Sequence, residues 1–248
     1  MFSEDTRFRH EYKYVEPEVR LLAAQKRLEA FMPKDSHVSE KGFYTIRSLY
    51  FDDYYDTYIR ENIDGVDERE KWRIRAYDHT DSYISLERKS RKSDLISKSA
   101  CSISRETFEA ILRGKIDIKD DNPPLLNVFY FQMRTRLLHP AVIVEYDRTP
   151  FAAPQGNTRI TFDRNIRSSS ELDALLADRA LSSRPVLERG QNLLEVKFDD
   201  FLPDHIAHTV EYGRMQRETF SKYFLCRRFT YNGISSSLYS IKQKSIKG

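Results

Sequence analysis

Hydrophobic and polar residues alternate with a period of two in eight stretches: RFRHEYKYV (7–15), FYTIRSLYFD (43–52), KWRIRAYD (71–78), SYISLERKS (82–90), ISKSACSIS (96–104), AVIVEYDRTPF (141–151), TRITFDRNI (158–166) and NLLEVKF (192–198). A strand sends successive side chains to opposite faces, so each stretch predicts a β-strand with one apolar and one polar face. Eight is the number of strands at which a sheet closes around a modest interior. Helical spacing appears between them. Pro17 opens PEVRLLAAQKRLEAF (17–31), with Leu21, Ala24, Leu28 and Phe31 on one stripe. Ser104 is placed to cap RETFEAILR and Gly114 to end it. SSSELDALLADRAL (168–181) sets Ser168 three residues before Glu171, the spacing of a capping box. HTVEYGRMQRETFSKYFLCRRF (208–229) predicts a helix weakened in its middle by Gly213. With no repeat and no linker, the expected fold is one α+β domain over residues 1–248, an eight-stranded antiparallel β-barrel with helices packed outside.

The polar faces share a plan. The first strand presents Arg9, Glu11 and Lys13; the third presents Lys71, Arg73 and Arg75, with Trp72, Ile74 and Ala76 behind them. The others give Ser85, Glu87 and Lys89; Lys98 with Ser102; Tyr146 with Arg148; Arg159, Thr161 and Asp163; and Glu195 with Lys197. An antiparallel sheet with one solvated face alternates in the same way. Two features argue for an interior instead. Cations outnumber acids on these faces, whereas a solubility surface mixes signs. The opposite faces are bulky enough to need helices over them. Cations facing a barrel interior need a counter-charge, and a phosphate chain supplies it, since Arg binds phosphate through its fork and Lys as a point charge. The carboxylates on the same faces then need a divalent cation between themselves and phosphate, and Mg²⁺ or Mn²⁺ accepts such oxygen ligands. Glu195 is the leading metal candidate and Glu11 the second, with an internal salt bridge to Arg9 or Lys13 as the other reading of Glu11.

Composition narrows the classes. The net charge of +3 over 248 residues is too low for a histone-like protein, so arrangement matters more than total. Cys101 and Cys226, far apart, offer neither a disulfide framework nor metal-ligand spacing. No apolar run reaches the roughly 18 residues of a membrane span, and the charged N-terminus lacks the apolar core of a signal peptide. The expected location is cytoplasmic.

RHEYKY, SLYFD, KWRIRAY, SLERK, YDRTPF, RITFD, LEVKF and SKY, in this order from Arg9 to Tyr223, closely resemble the VTC domain. This is the catalytic domain of the vacuolar transporter chaperone polyphosphate polymerase, within the triphosphate tunnel metalloenzymes. The resemblance implies an eight-stranded tunnel with basic walls, a divalent metal at a glutamate, and polyphosphate and ATP as substrates. It implies phosphate contacts at Lys13, Arg73, Arg75, Lys89, Lys98, Arg148, Arg159 and Lys222, with Tyr146 near the transferred phosphate and Glu195 as metal ligand. Lys71 and Lys197 join the phosphate-binding set from their strand faces. Arg91 and Lys92, in RKSRKSD, stand as alternatives to Lys98. Arg73, Arg75, Tyr146 and Glu195 are the expected catalytic residues. Hydrolytic relatives open with Glu-x-Glu-x-Lys; here Arg9 replaces the first acid, which favours chain binding and the polymerase branch. A tunnel triphosphatase and a non-catalytic polyphosphate or inositol-phosphate binder are the alternatives. Polymer translocation would need a separate membrane partner.

Other chemistry finds little support. No two glycines are spaced for a phosphate-binding loop. His205 and His208, in DHIAH, lack a third zinc ligand and are expected as surface residues. Cys101 alternates away from Lys98 and Ser102, as a structural thiol does. Nucleic acid is not expected, because a closed tunnel excludes bases.

Overall fold

The computed structural model describes residues 10–35, 38, 40–92, 95–210 and 215–231. Arg9 lies outside this set. The elements in chain order are β1 (His10–Pro17), α1 (Glu18–Leu28), β2 (Tyr44–Asp52), α2 (Thr57–Asp64), β3 (Arg69–Tyr77), β4 (Ile84–Lys92), β5 (Leu95–Ile103), α3 (Arg105–Leu112), α4 (Pro124–Thr135), β6 (His139–Ala153), β7 (Thr158–Ser169), β8 (Ser183–Pro185), β9 (Gln191–Phe198), α5 (Asp204–Val210) and α6 (Lys222–Arg227). All eight alternating stretches are strands of one antiparallel sheet, in the order β1-β9-β7-β6-β2-β3-β4-β5, with the short β8 added on β7.

The expected barrel is not closed by its backbone. Among the described residues no ladder joins β1 to β5, so both are edges. Closure needs the first and last strands in hydrogen-bonding register. The curl is sufficient to bring Glu11 of β1 within 3.3 Å of Lys89 of β4.

Period-two patterning decides which face is covered. Trp72, Ile74 and Ala76 of β3 are fully buried. The Trp72 ring meets Phe129 of α4 at 5.2 Å, and Phe51 of β2 meets the same ring at 5.0 Å. On the other half of the sheet, Leu21, Ala24 and Leu28 of α1 pack with Tyr14, Ile160, Phe162, Leu194 and Val196. Both apolar layers lie outside the curl and leave the cationic face within. Fully burying one such large side chain contributes about 1.5–3 kcal/mol, so the inside-out arrangement is set by the helices that cover it.

Three helical expectations are corrected. α1 ends at Leu28, and Phe31 is exposed beyond it. Residues 170–182 form turns rather than a helix: Ser168 and Ser169 stay in β7, and the buried Arg47 guanidinium donates to the carbonyls of Ala177 (2.5 Å) and Arg179 (2.6 Å). A tertiary donor thus satisfies groups that helix bonds would have used. The expected helix 208–229 contains only α5 and α6 among the described residues. The stretch 215–220 between them is non-helical, tied to β1 by Glu218 N–H donating to Lys13 O (2.9 Å). No expectation covered α2 and α4, although Pro124 at the start of α4 and buried Leu125, Leu126, Phe129, Tyr130 and Met133 carry a legible signal.

Candidate active site

Ladder register places the inward residues side by side. Arg73 faces Glu87, Lys71 faces Lys89, and Lys89 faces Lys98 across β3, β4 and β5. Lys13 faces Glu195 and Glu11 faces Lys197 across β1 and β9. Arg148 faces Asp163 across β6 and β7. The β6–β7 register shifts between Glu145 and Asp147, which puts Tyr146 at an irregularity of the kind that re-aims a side chain.

Four carboxylates organise the cations. Glu87, 3% exposed, accepts from Arg73 Nε at 2.7 Å and Lys98 at 3.0 Å, and lies 3.9 Å from Arg75. Asp163 takes both arms of Arg148 at 2.7 Å each and lies 2.7 Å from Lys222. Glu195 lies 2.7 Å from Lys222, 3.4 Å from Arg148 and 3.5 Å from Lys197. Glu11 meets Lys197 at 3.0 Å and both Lys13 and Lys89 at 3.3 Å. Tyr146 accepts from Arg75 at 3.4 Å, and Lys222 stands 4.9 Å above its ring. These contacts pass from β3 through β6, β7, β9 and β1 to β4, so side chains complete the circuit that the backbone leaves open.

The electrostatics follow from crowding. Burial raises the Glu87 carboxyl, but Arg73, Arg75 and Lys98 outweigh it and hold it far below the carboxylate range. Burial likewise opposes Glu11, Asp163 and Glu195, and the surrounding cations hold all three down. Burial would raise the Tyr146 phenol, yet Arg148, Arg75 and Lys222 bring it below its ordinary value. Burial lowers Lys222, but Asp163 and Glu195 carry it above the usual lysine value. Lys89 goes the other way: burial brings it down to about 8, because Glu11 only partly offsets it and Lys13 and Lys197 repel it.

Lys71 has no carboxylate partner among the described residues. Its ammonium donates to Asn62 Oδ1 (2.9 Å) and Ser221 Oγ (3.1 Å) and stands 5.1 Å over the Tyr223 ring. Burial, then Lys89 and Arg69, push it well below the usual lysine range. Arg159 faces Lys197 across β7 and β9, and its guanidinium lies beside Asp35 (3.2 Å) and the Tyr44 hydroxyl (3.3 Å). Lys98 joins the network through its contact with Glu87, and Arg91 faces Arg69 in the ladder.

Lys222 enters at the first turn of α6, where Ser221 caps the helix by accepting from Phe224 N–H. The Tyr223 hydroxyl donates to Asp52 (2.5 Å), whose carboxylate also accepts from the neighbouring Asp53 N–H and from the Tyr58 N–H in the first turn of α2. Two of the recognised motifs, SLYFD and SKY, thus meet in one hydrogen bond. Sequence reasoning placed Glu87 and Asp163 on the right faces but assigned them no role, and it missed Asp52, Tyr50 and Ser48. Their signal was parity: Tyr50 and Ser48 share the inward face of β2 and accept from Arg73 and Arg75. Cys226 is buried and Cys101 half-buried; burial pushes their thiols to about 12 and about 11, which suits structural roles. His205 and His208 are exposed, and no group of three or more metal-ligating side chains occurs among the described residues. None of the described helices is long and apolar enough to cross a membrane.

The curled antiparallel sheet is a fold with a counterpart among known structures. An adenylate cyclase candidate from Bacillus halodurans superimposes with a TM-score of 0.51 at 13% identity, over 91% of this chain and 98% of that one. An adenylyl cyclase candidate from Hippeastrum, for which a dominant triphosphatase activity is described, gives 0.45 at 13% identity over 96% of each chain. No curated protein sequence matches the chain. The VTC domain model matches residues 8–231, and the chain belongs to that family.

Proposed function

We propose that this protein transfers the γ-phosphate of a nucleoside triphosphate to the end of a polyphosphate chain. The observation that carries this reading is the uncompensated positive charge of the interior. Each inward carboxylate is already shared by two or more cations, while the partners of Lys71 among the described residues are all neutral and Lys89 is depressed to about 8. A polyanion removes that imbalance.

In the transfer, the bond from the γ-phosphorus to the β,γ-bridging oxygen breaks. A terminal oxygen of the chain bonds to the same phosphorus, and the nucleoside diphosphate leaves with the electron pair. The transition state is loose, so positioning and neutralisation carry the catalysis and no side-chain nucleophile is needed. Arg73 and Arg75 neutralise the equatorial oxygens, Tyr146 donates its hydroxyl beside them, and Lys13, Lys71, Lys89, Lys98, Arg148, Arg159, Lys197 and Lys222 hold the flanking phosphates. A divalent cation fits Glu195 and Glu11. Both are hard oxygen donors, and the Lys197 ammonium already lies between them, 3.0 Å from Glu11 and 3.5 Å from Glu195. When bound, Mn²⁺ or Mg²⁺ would supply charge neutralisation between phosphates.

The test is incubation with ATP and Mn²⁺, with products resolved on a gel. The expected product is lengthened phosphate chains, lost in Glu195→Gln with polyphosphate binding retained. Free phosphate alone would assign a triphosphatase, and binding without turnover a receptor.

A further inference from the structure

The inward face of β3 and β4 changes character along its length. Lys71, Arg73 and Arg75 are followed by Tyr77, and the β4 positions Glu87 and Ser85 lead back to Tyr83 just before the strand. On β2 the inward position paired with Arg148 is Tyr44. These three rings form one cluster. Tyr44 and Tyr77 lie 5.7 Å apart at 66°, and Tyr77 and Tyr83 lie 6.1 Å apart at 36°. Tyr44 is buried and bonded to Arg159, whereas Tyr83 is 49% exposed. Core packing accounts for Tyr44. It does not account for an aromatic ring that continues the cationic face and shows half its surface to solvent.

We infer that Tyr77 and Tyr83 are the platform on which the base of the donor nucleotide stacks, with its triphosphate running inward to Arg75 and Arg73. This rests on the phosphate-transfer reading above. At about 3.3 Å per residue, Tyr77 lies roughly 7 Å along β3 from Arg75 and roughly 13 Å from Arg73, lengths that an extended triphosphate spans. The charge of the adjoining wall selects this occupant, since an uncharged aromatic ligand would gain nothing from the arginines. Stacking accepts any base, so the platform distinguishes nucleotides from inorganic chains without choosing among bases. It also gives the interior a polarity: nucleoside at the tyrosines, phosphate chain along Lys89 and Lys98.

Calorimetric titrations of the full chain with ATP and with inorganic tripolyphosphate, in one buffer and metal, test this on wild type, Tyr83→Ala and Tyr83→Trp. Tyr83→Ala should weaken ATP about fivefold or more and leave tripolyphosphate within about twofold, and Tyr83→Trp should restore ATP binding. Unchanged ATP affinity in Tyr83→Ala, or equal loss of both ligands, overturns the platform while the phosphate reading stands. A wild type that does not bind tripolyphosphate overturns the phosphate reading and the platform with it.

Discussion

Arg73 Nε lies 2.7 Å from Glu87 Oε2, directly across the β3–β4 ladder, so a carboxylate holds a fork suited to phosphate. A phosphate reaching Arg73 would have to replace Glu87 as its anionic partner. Substituting Glu87→Gln should release the fork and leave Arg73 and Lys98 without their counter-charge. Breaking one side of a buried pair costs about 3 kcal/mol, or roughly 6–12 °C in melting temperature for a chain of this size. Tripolyphosphate at a hundredfold over its Kd returns about 2.7 kcal/mol. Thermal melts with and without the ligand should show most of the loss recovered; a loss that the anion does not reverse would place Glu87 in a purely structural role.

Polyphosphate affinity should fall as pH rises through about 8. Lys89 is brought down to about 8 in the folded protein, so its charge is present below that pH and lost above it. Near pH 9 the loss should reach about five- to tenfold, and Lys89→Arg should flatten the profile because Arg stays protonated. The free protein responds with the opposite sign. The unfolded chain holds the Lys89 proton up to about 10.4, so between about 8 and 10.4 the unfolded state binds more protons and this group makes stability rise with pH. Binding isotherms and melts at several pH values check both halves.

Acidification acts through the four carboxylates. Glu11, Glu87, Asp163 and Glu195 all sit below their ordinary range, under cations that outweigh their burial. Their stabilisation is complete above the unfolded values of about 4 and is lost as pH falls through the lower folded values. Melts from pH 6 downward should show a steep loss that begins below about pH 4 in wild type, and a shallower one in Glu87→Gln, which starts from lower stability and has one fewer titrating group.

Tyr223→Phe tests how Lys222 is positioned. The hydroxyl joins Asp52, at the end of β2, to α6, one residue from Lys222, and Asp52 also holds the Tyr58 N–H of α2. Its removal leaves a buried acceptor underused, at a cost of about 1–3 kcal/mol. Turnover should fall with kcat affected more than KM, because Lys222 keeps its charge but loses its anchor. A variant with unchanged kcat and lowered stability would confine the bond to folding.

Much of this site was legible because strand parity is strict. KWRIRAYD alternates, so Lys71, Arg73 and Arg75 share a face, and Trp72 and Ile74 need cover on the other. The cover itself was less visible, since α4 was overlooked. The turns of 170–182 were unreadable because Arg47, far away in sequence, supplies their hydrogen bonds. Local propensity cannot register a donor from another strand. The pairing of Glu87 with Arg73 and of Asp163 with Arg148 was equally hidden, since parity gives a face but not a register.

Arg75→Ala tests most directly whether the inward row on β3 binds phosphate. Arg75 donates to Ser48 and Tyr146, while Glu87 keeps Arg73 and Lys98 as closer partners. The substitution therefore removes one fork without stranding a carboxylate, and the melt should stay close to wild type. Loss of a charge-assisted contact worth about 1.5–3 kcal/mol should weaken tripolyphosphate about ten- to a hundredfold in a binding titration. Wild-type affinity in a folded Arg75→Ala protein would contradict the account.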